Sequence, residues 1–359
     1  MVASVTERAR GLFGELGLEA LRRRWRRARY RAQQRGLAAF CGTFISLFHL
    51  AMEPGLGRRI SGRTLELSQR RFAELLERDL EHAERGEYPF ELLLQFPLRQ
   101  YLRVAPAALG DAPRVLWRRY HGQHDELPQQ ARRGEYPRYY LRTFHWQTDG
   151  WFSERSARLY DVGVEVLFLG TADIMRRQLI PPLRAGLAGE ARPRILDIAC
   201  GTGRFLLQLH RTLPAAKLYG LDLSPYYLQH ARRLLAEVPE LSLLAENAEA
   251  MPLAGASFDA ATSIFLFHEL PAQARRNVAR EALRVVRPGG RFVVCDSVQR
   301  NDAPELSEMM EAFPVLYHEP YYKGYTQDPL EGMLAECGFE VLETRPNFLS
   351  KIVVARRPD

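Results

Sequence analysis

From residue 191 onward the chain alternates short apolar runs with stretches of helical spacing. Apolar runs occupy 194–198, 217–221, 241–245, 258–264 and 291–296, and helix-patterned stretches fill 203–213, 225–237 and 271–286. Runs that are apolar at consecutive positions have no solvated face. They read as strands of a parallel sheet covered by helices on both sides, so the pattern predicts an α/β, doubly wound architecture. Residues 338–342 and 349–355 read as two last strands joined by a short connection.

The first 134 residues carry a different period. Segments 16–35, 37–52, 64–86 and 90–105 have helical spacing, with Gly55-Leu56-Gly57, Gly86 and Pro97 as breaks. This predicts a mainly helical N-terminal domain over 1–134, a connector over 135–190, and the sheet domain over 191–359. The connector opens with an aromatic cluster in which seven of the 18 residues of 135–152 are Phe, Tyr or Trp. Such density beside His145 and Arg142 suits a pocket wall for an apolar or aromatic ligand, or an aromatic seam between domains. A helix follows with Ala157, Tyr160, Val164, Leu167 and Phe168 on one side.

The chemistry concentrates where the first predicted strand ends, at Ile195-Leu196-Asp197-Ile198-Ala199-Cys200-Gly201-Thr202-Gly203. An apolar strand closing on an acid and a Gly-x-Gly turn opens a ligand crevice at the carboxyl end of a parallel sheet. The second strand ends on Asp222, 19 residues after Gly203, where a carboxylate accepts hydrogen bonds from a ribose diol. A dinucleotide site would place a third glycine where Leu206 stands. Asp197 would repel a pyrophosphate and attract an ammonium group, which favours an amino-acid nucleoside over a dinucleotide.

These residues resemble the class I S-adenosylmethionine-dependent methyltransferases. The likeness rests on Leu196–Gly203, Gly220-Leu221-Asp222-Leu223-Ser224, Glu246–Pro252, Ser257-Phe258-Asp259-Ala260 and Leu283–Gly290, in that order and spacing. It covers roughly 190–300 closely, and the layout of the second half is nearest the ubiquinone/menaquinone type of small-molecule methyltransferase. The resemblance implies a Rossmann-like sheet closed by an antiparallel final hairpin, and S-adenosylmethionine as methyl donor. It sets Asp197, Gly201 and Gly203 against the methionine part, Asp222 on the ribose, Leu223 beside the adenine, and Asn247 and Ala248 at the adenine edge. Ala199 and Ile264 complete that set, and Tyr160 sits on a helix of the kind that covers the cofactor.

Methyl transfer is an in-line displacement, and a base is required only when the acceptor carries a proton that must leave. The fourth strand ends in Ile264-Phe265-Leu266-Phe267-His268-Glu269-Leu270-Pro271. The Asn/Asp-Pro-Pro-aromatic pattern of amino-group methyltransferases is missing there, which argues against DNA as partner and favours carbon or oxygen acceptors. His268 and Glu269 are the catalytic candidates, with helix capping as the alternative for either. Tyr140, His145, Trp146, His318, Tyr321 and Tyr322 are the candidates for contact with a small-molecule acceptor that is apolar or aromatic. Two other readings stay open: an RNA methyltransferase recruited by its basic N-terminal half, and a non-catalytic cofactor-binding regulator.

Charge changes the picture in one place. The chain carries 50 Lys and Arg against 43 Asp and Glu, for a net charge of +7. The excess collects at Arg22-Arg23-Arg24-Trp25-Arg26-Arg27-Ala28-Arg29-Tyr30-Arg31. On a helical projection these arginines surround the helix, which fits a solvated helix, an anionic membrane surface or, less well, RNA. The apolar stretch Ala38–Met52 is too short and too polar to span a membrane and predicts a buried core helix. Four scattered cysteines, with no Cys-x-x-Cys, give no metal site and fit buried thiols. No secretory signal pattern opens the chain, so the expected location is cytoplasmic, with peripheral membrane contact left open.

Overall fold

The computed structural model describes residues 2–52, 60–96, 98–132 and 136–359. The breaks predicted at Gly55-Leu56-Gly57 and Pro97, and Glu135 at the head of the aromatic cluster, lie outside the described residues.

Three helices come first: α1 (Val2–Met52), α2 (Gly62–Glu84) and α3 (Leu98–His121). The predicted separate helices 16–35 and 37–52 are one continuous element. Gly36 costs helix stability without stopping the helix, because no proline and no cap accompany it. The predicted helix 90–105 is also corrected: a single 3-10 turn, Phe90–Leu94, precedes α3, which runs on past Pro106 and Pro113. α2 starts where Ser61 accepts a hydrogen bond from the Thr64 N–H. It buries Leu67, Leu75, Leu76 and Leu80 at helical spacing.

The connector holds α4 (Glu154–Leu167), α5 (Ala172–Arg177) and α6 (Ile180–Gly186). Then strands and helices alternate: β1 (Arg194–Ile198), α7 (Arg204–Thr212), β2 (Lys217–Asp222), α8 (Pro225–Leu234), β3 (Leu241–Ala245), β4 (Phe258–Ile264), α9 (Ala272–Val285) and β5 (Val286–Ser297). The remainder is α10 (Ser307–Tyr317), α11 (Tyr322–Tyr325), α12 (Leu330–Glu336), β6 (Glu340–Asn347) and β7 (Ser350–Arg356). The seven strands form one sheet in the order β3-β2-β1-β4-β5-β7-β6, parallel from β3 to β5 and antiparallel at β7 and β6. The order reverses between β1 and β4, and a doubly wound sheet opens its crevice at that switch point. Pro288-Gly289-Gly290 lies within β5 at an irregularity, where pairing with β4 skips from Val286 to Arg291 and Gly289 has φ +72°.

Both sheet faces are buried. Ile195 and Val293 point to a cluster shared with α7, while Leu196, Ile198 and Phe292 point to another shared with α9 and α12. The first cluster also takes in Tyr30 of α1, Leu75 and Leu80 of α2 and Leu183 of α6, so the N-terminal helices pack directly on the sheet layer. A buried polar hub pins them. Asp79 of α2 accepts from the Tyr30 hydroxyl at 2.5 Å, the Tyr88 hydroxyl at 2.6 Å and Arg177 Nε of α5 at 2.6 Å. Both oxygens of the Asp79 carboxylate are satisfied, Oδ2 by Tyr30 and Arg177 and Oδ1 by Tyr88 and Arg177, which is the condition under which a buried charge is tolerated.

One expectation about Ala38–Met52 fails. Phe40, Leu47 and Leu50 are exposed on α1, although Cys41 is buried. Apolar character alone did not reveal that, among the described residues, the Tyr30–Gln34–Cys41 side of α1 is the buried one. All four cysteines are buried and unpaired.

Candidate active site

The β1 turn is built by backbone geometry. Gly203 caps α7 with φ +80°, and a Cβ there would lie 2.8 Å from Leu235. Gly201 has φ +54° with open space where a side chain would project, so its backbone can approach a ligand. The third glycine of a dinucleotide fingerprint has a substitute. Gly220 on β2 would place a Cβ 2.8 Å from Leu206 and 2.7 Å from Cys200 Sγ, so the strand, not the helix, gives up its side chain for close packing.

Asp222 ties this turn to the start of α8. Oδ2 accepts the Gly201 N–H at 2.9 Å and Oδ1 accepts the Ser224 N–H at 2.8 Å. Burial pushes its carboxyl up to about 6, against those two bonds. Asp197, at the end of β1, is nearly inaccessible and accepts from Thr262 Oγ1 at 2.8 Å; burial pushes it up to about 7. Two raised acids beside one turn mark a place where a cationic, hydroxylated ligand restores what burial costs.

A cleft opens over this turn. Ala199, Gly201, Asp222, Leu223, Asn247, Ala248, Ile264 and Tyr160 line it, so eight of the ten cofactor candidates meet there. Asp197 and Gly203 lie behind the lining. Of the acceptor candidates only Tyr140 lines the cleft, together with Tyr139, Trp151 and Phe265; of the catalytic candidates, Glu269 does.

The other candidates have structural partners. Trp146 is buried, and its Nε1–H donates to the Leu316 carbonyl at 3.0 Å. His318 ends α10 in a left-handed conformation and stacks between Trp146 and His124; burial and that neighbouring ring lower it to about 4. The Tyr322 hydroxyl shares a hydrogen bond with Ser297 Oγ at 2.8 Å. Tyr321 meets Tyr139 edge-on and so supports the cleft wall from outside.

His268 and His145 belong to a network of acids. His268 is buried, with Nδ1 2.7 Å from Asp296 Oδ1. Burial opposes its charge, but Asp296 wins and lifts it to about 9. His145 has φ +55°, a strained setting for a residue with a Cβ, and lies between two carboxylates. Its Nε2 is 3.6 Å from Glu269 Oε1 and its Nδ1 is 3.3 Å from Glu319 Oε1. Burial disfavours the imidazolium, yet Glu319 and Glu269 together raise it. Glu319 is buried and pushed up to about 7 by desolvation, against the pull of His145. One ligand atom from each of His145, Glu269 and Glu319 can be chosen so that all lie within 4.8 Å of one another, a spacing that could hold a metal ion although no metal motif is legible along the chain.

Trp151 and Glu319 both stand inside sequence segments rich in aromatic or titratable residues, yet only the structure brings them to the site. Asp296 had a readable signal: like Asp197 and Asp222, it is an acid at the carboxyl end of a buried strand.

A methyltransferase-domain family model matches residues 195–290. An O-methyltransferase of Aspergillus sclerotiorum is 29% identical over 177 residues, 48% of this chain and 64% of that protein. The demethylmenaquinone methyltransferase of Tropheryma whipplei is 30% identical over 175 residues, 43% of this chain and 67% of the relative. A ubiquinone/menaquinone biosynthesis C-methyltransferase of Methylobacterium nodulans is 34% identical over 161 residues, 44% of this chain and 62% of the relative. The chain thus spans about two thirds of the length of the curated relatives it matches. With the turn, the Asp222 carboxylate and the switch-point cleft, these likenesses place it: the chain belongs to the S-adenosylmethionine-dependent methyltransferase family.

Proposed function

We propose that this chain transfers a methyl group to a small hydroxylated aromatic acceptor, at the hydroxyl oxygen or at a ring carbon which that oxygen activates. The cleft carries the reading. Tyr139, Tyr140, Trp151, Tyr160 and Phe265 give it aromatic walls, and the Glu269 carboxylate lies in the same lining as the nucleoside-binding set. Aromatic walls take up a flat apolar ring, and the Glu269 carboxylate, which shares the lining with Asp222 and Glu246, favours a ring that carries a proton to give.

The residues fit S-adenosylmethionine on two counts: the open space before Gly201 and the raised acids Asp197 and Asp222. When bound, the cofactor supplies an electrophilic methyl carbon whose bond to sulfur breaks as the acceptor's new bond forms. The chain's own share is proton handling and alignment. Glu269 accepts the acceptor's hydroxyl proton as negative charge on that oxygen flows into the new bond. His145 acts as a positioning residue, holding Glu269 through one ring nitrogen and Glu319 through the other. His268, kept protonated by Asp296, does not serve as the base at neutral pH; its charge balances the acids around it.

The test is a turnover assay with labelled cofactor over phenols and quinols, each paired with its analogue lacking the hydroxyl, the product position being read by NMR. Only the hydroxylated member of a pair should be methylated. Glu269→Gln should lower kcat about 100-fold while S-adenosylhomocysteine affinity stays within about twofold. Equal methylation of both members, or full turnover by Glu269→Gln, would sink the reading. Cofactor binding without turnover on any extract would favour the regulatory alternative.

A further inference from the structure

The arginines of α1 are sorted by the tertiary structure. Arg23 and Arg27 both pair with Glu84 of α2 at 2.5 Å, and Arg31 pairs with Glu77 at 2.7 Å. Arg22, Arg24 and Arg35 are exposed and face no carboxylate among the described residues, and Arg29 lies over the Trp25 ring. The inner arginines fasten α1 to α2; among the described residues the outer ones make no ion pair.

The same outer side carries apolar groups. Leu21, Trp25, Phe40, Leu47 and Leu50 are each 60–65% exposed. At 100° per residue they fall within an arc of about 100°, opposite the buried Tyr30, Gln34 and Cys41. Ala32, Gly36, Ala39 and Thr43 fill the stripe between them, and it runs about 44 Å along the helix. From 20 to 52 the sequence has eight arginines and no acid. No helix among the described residues is long and apolar enough to cross a membrane.

We infer that the outer face of α1 lies on an anionic lipid surface, with its apolar stripe in the headgroup layer and Arg22, Arg24, Arg29 and Arg35 on the phosphates. Charge complementarity selects this occupant. A second copy of the same face, laid parallel, would set arginine against arginine with no acid to compensate. RNA would use the charge but leave five large apolar side chains in water. A lipid surface uses both, and an in-plane amphipathic helix with arginines and a Trp has the required composition. This inference does not rest on the acceptor reading.

The experiment is flotation of the full chain with vesicles of phosphatidylcholine alone and of phosphatidylcholine mixed with phosphatidylglycerol, at low and high salt. The chain should float only with the mixed vesicles, and salt should release it. Phe40→Glu with Leu47→Glu should reduce bound protein at least about tenfold, as should Arg24→Glu with Arg35→Glu. S-adenosylhomocysteine binding should be unchanged in both variants, which shows that they are folded. Absence of flotation with mixed vesicles, or equal flotation with neutral ones, would overturn the inference. So would a concentration-dependent dimer dispersed by Phe40→Glu, or salt-sensitive RNA binding without vesicle binding.

Discussion

Asp197→Asn isolates the electrostatics of the cofactor turn. Asp197 is 2% exposed, and its carboxyl is raised from 3.8 to about 7 because burial penalises the charge more than Thr262 and Arg176 relieve it. The folded protein therefore holds this proton more tightly than the unfolded chain does. Its stabilising share is complete below about pH 4 and is lost as pH rises through about 7. At pH 8 the ionised group costs about 3 pH units of proton affinity and at pH 5 about 1. The difference of about 2 units is at most about 3 kcal/mol. Asparagine has the same shape, keeps an oxygen for the Thr262 hydroxyl, and does not titrate. In urea denaturation of the cofactor-free protein, the variant should gain on the wild type by up to that amount between pH 5 and pH 8. Added S-adenosylhomocysteine should then stabilise the wild type more than the variant at pH 8, because an ammonium group beside Asp197 offsets the buried charge. A stability difference independent of pH would refute the electrostatic reasoning. Equal stabilisation by ligand would show that Asp197 does not face the cofactor's amino group.

Asp222→Ala should weaken S-adenosylhomocysteine binding by about 1–3 kcal/mol in calorimetry, through loss of a charge-assisted acceptor. Tighter binding of NAD than of S-adenosylhomocysteine to the wild type would contradict the cofactor assignment itself. Gly220→Ala should destabilise the fold by about 1–3 kcal/mol in urea titration, since its Cβ would meet Cys200 and Leu206 below 3 Å. Asp79→Ala leaves the buried Arg177 without its carboxylate and should cost about 3–5 kcal/mol, read as a lowered midpoint of unfolding. Dialysis against a chelator should leave turnover unchanged, because each ring nitrogen of His145 already faces a carboxylate; restoration of lost turnover by a divalent ion would reassign the His145–Glu269–Glu319 cluster.

The alternating apolar runs after residue 191 located all five parallel strands; in β1 and β4 the signal comes from burial on both faces, whereas the edge strand β3 is half-exposed and was found by its leucines alone. The cofactor turn was equally legible, since its chemistry is local: an acid, two glycines and a second acid one helix and one strand later. The N-terminal half was harder to read. Segments 16–35 and 37–52 read as two helices and are one, and Ala38–Met52 looked like core, yet Phe40, Leu47 and Leu50 are exposed. Hydrophobicity says that a side chain prefers burial, and only the packing partners decide whether it gets it. The same limit applied to His268 and His145. The sequence set both among polar and aromatic neighbours. Their charge states depend on Asp296, Glu269 and Glu319, which lie up to 174 positions away and meet only after folding. What the order of residues determined was the parallel strands and the nucleoside-binding turn, whose acids and glycines lie within one turn, one helix and one strand of one another. The protonation of the site and the exposed stripe on α1 were decided by the tertiary structure, because burial and electrostatic pairing are properties of neighbours in space.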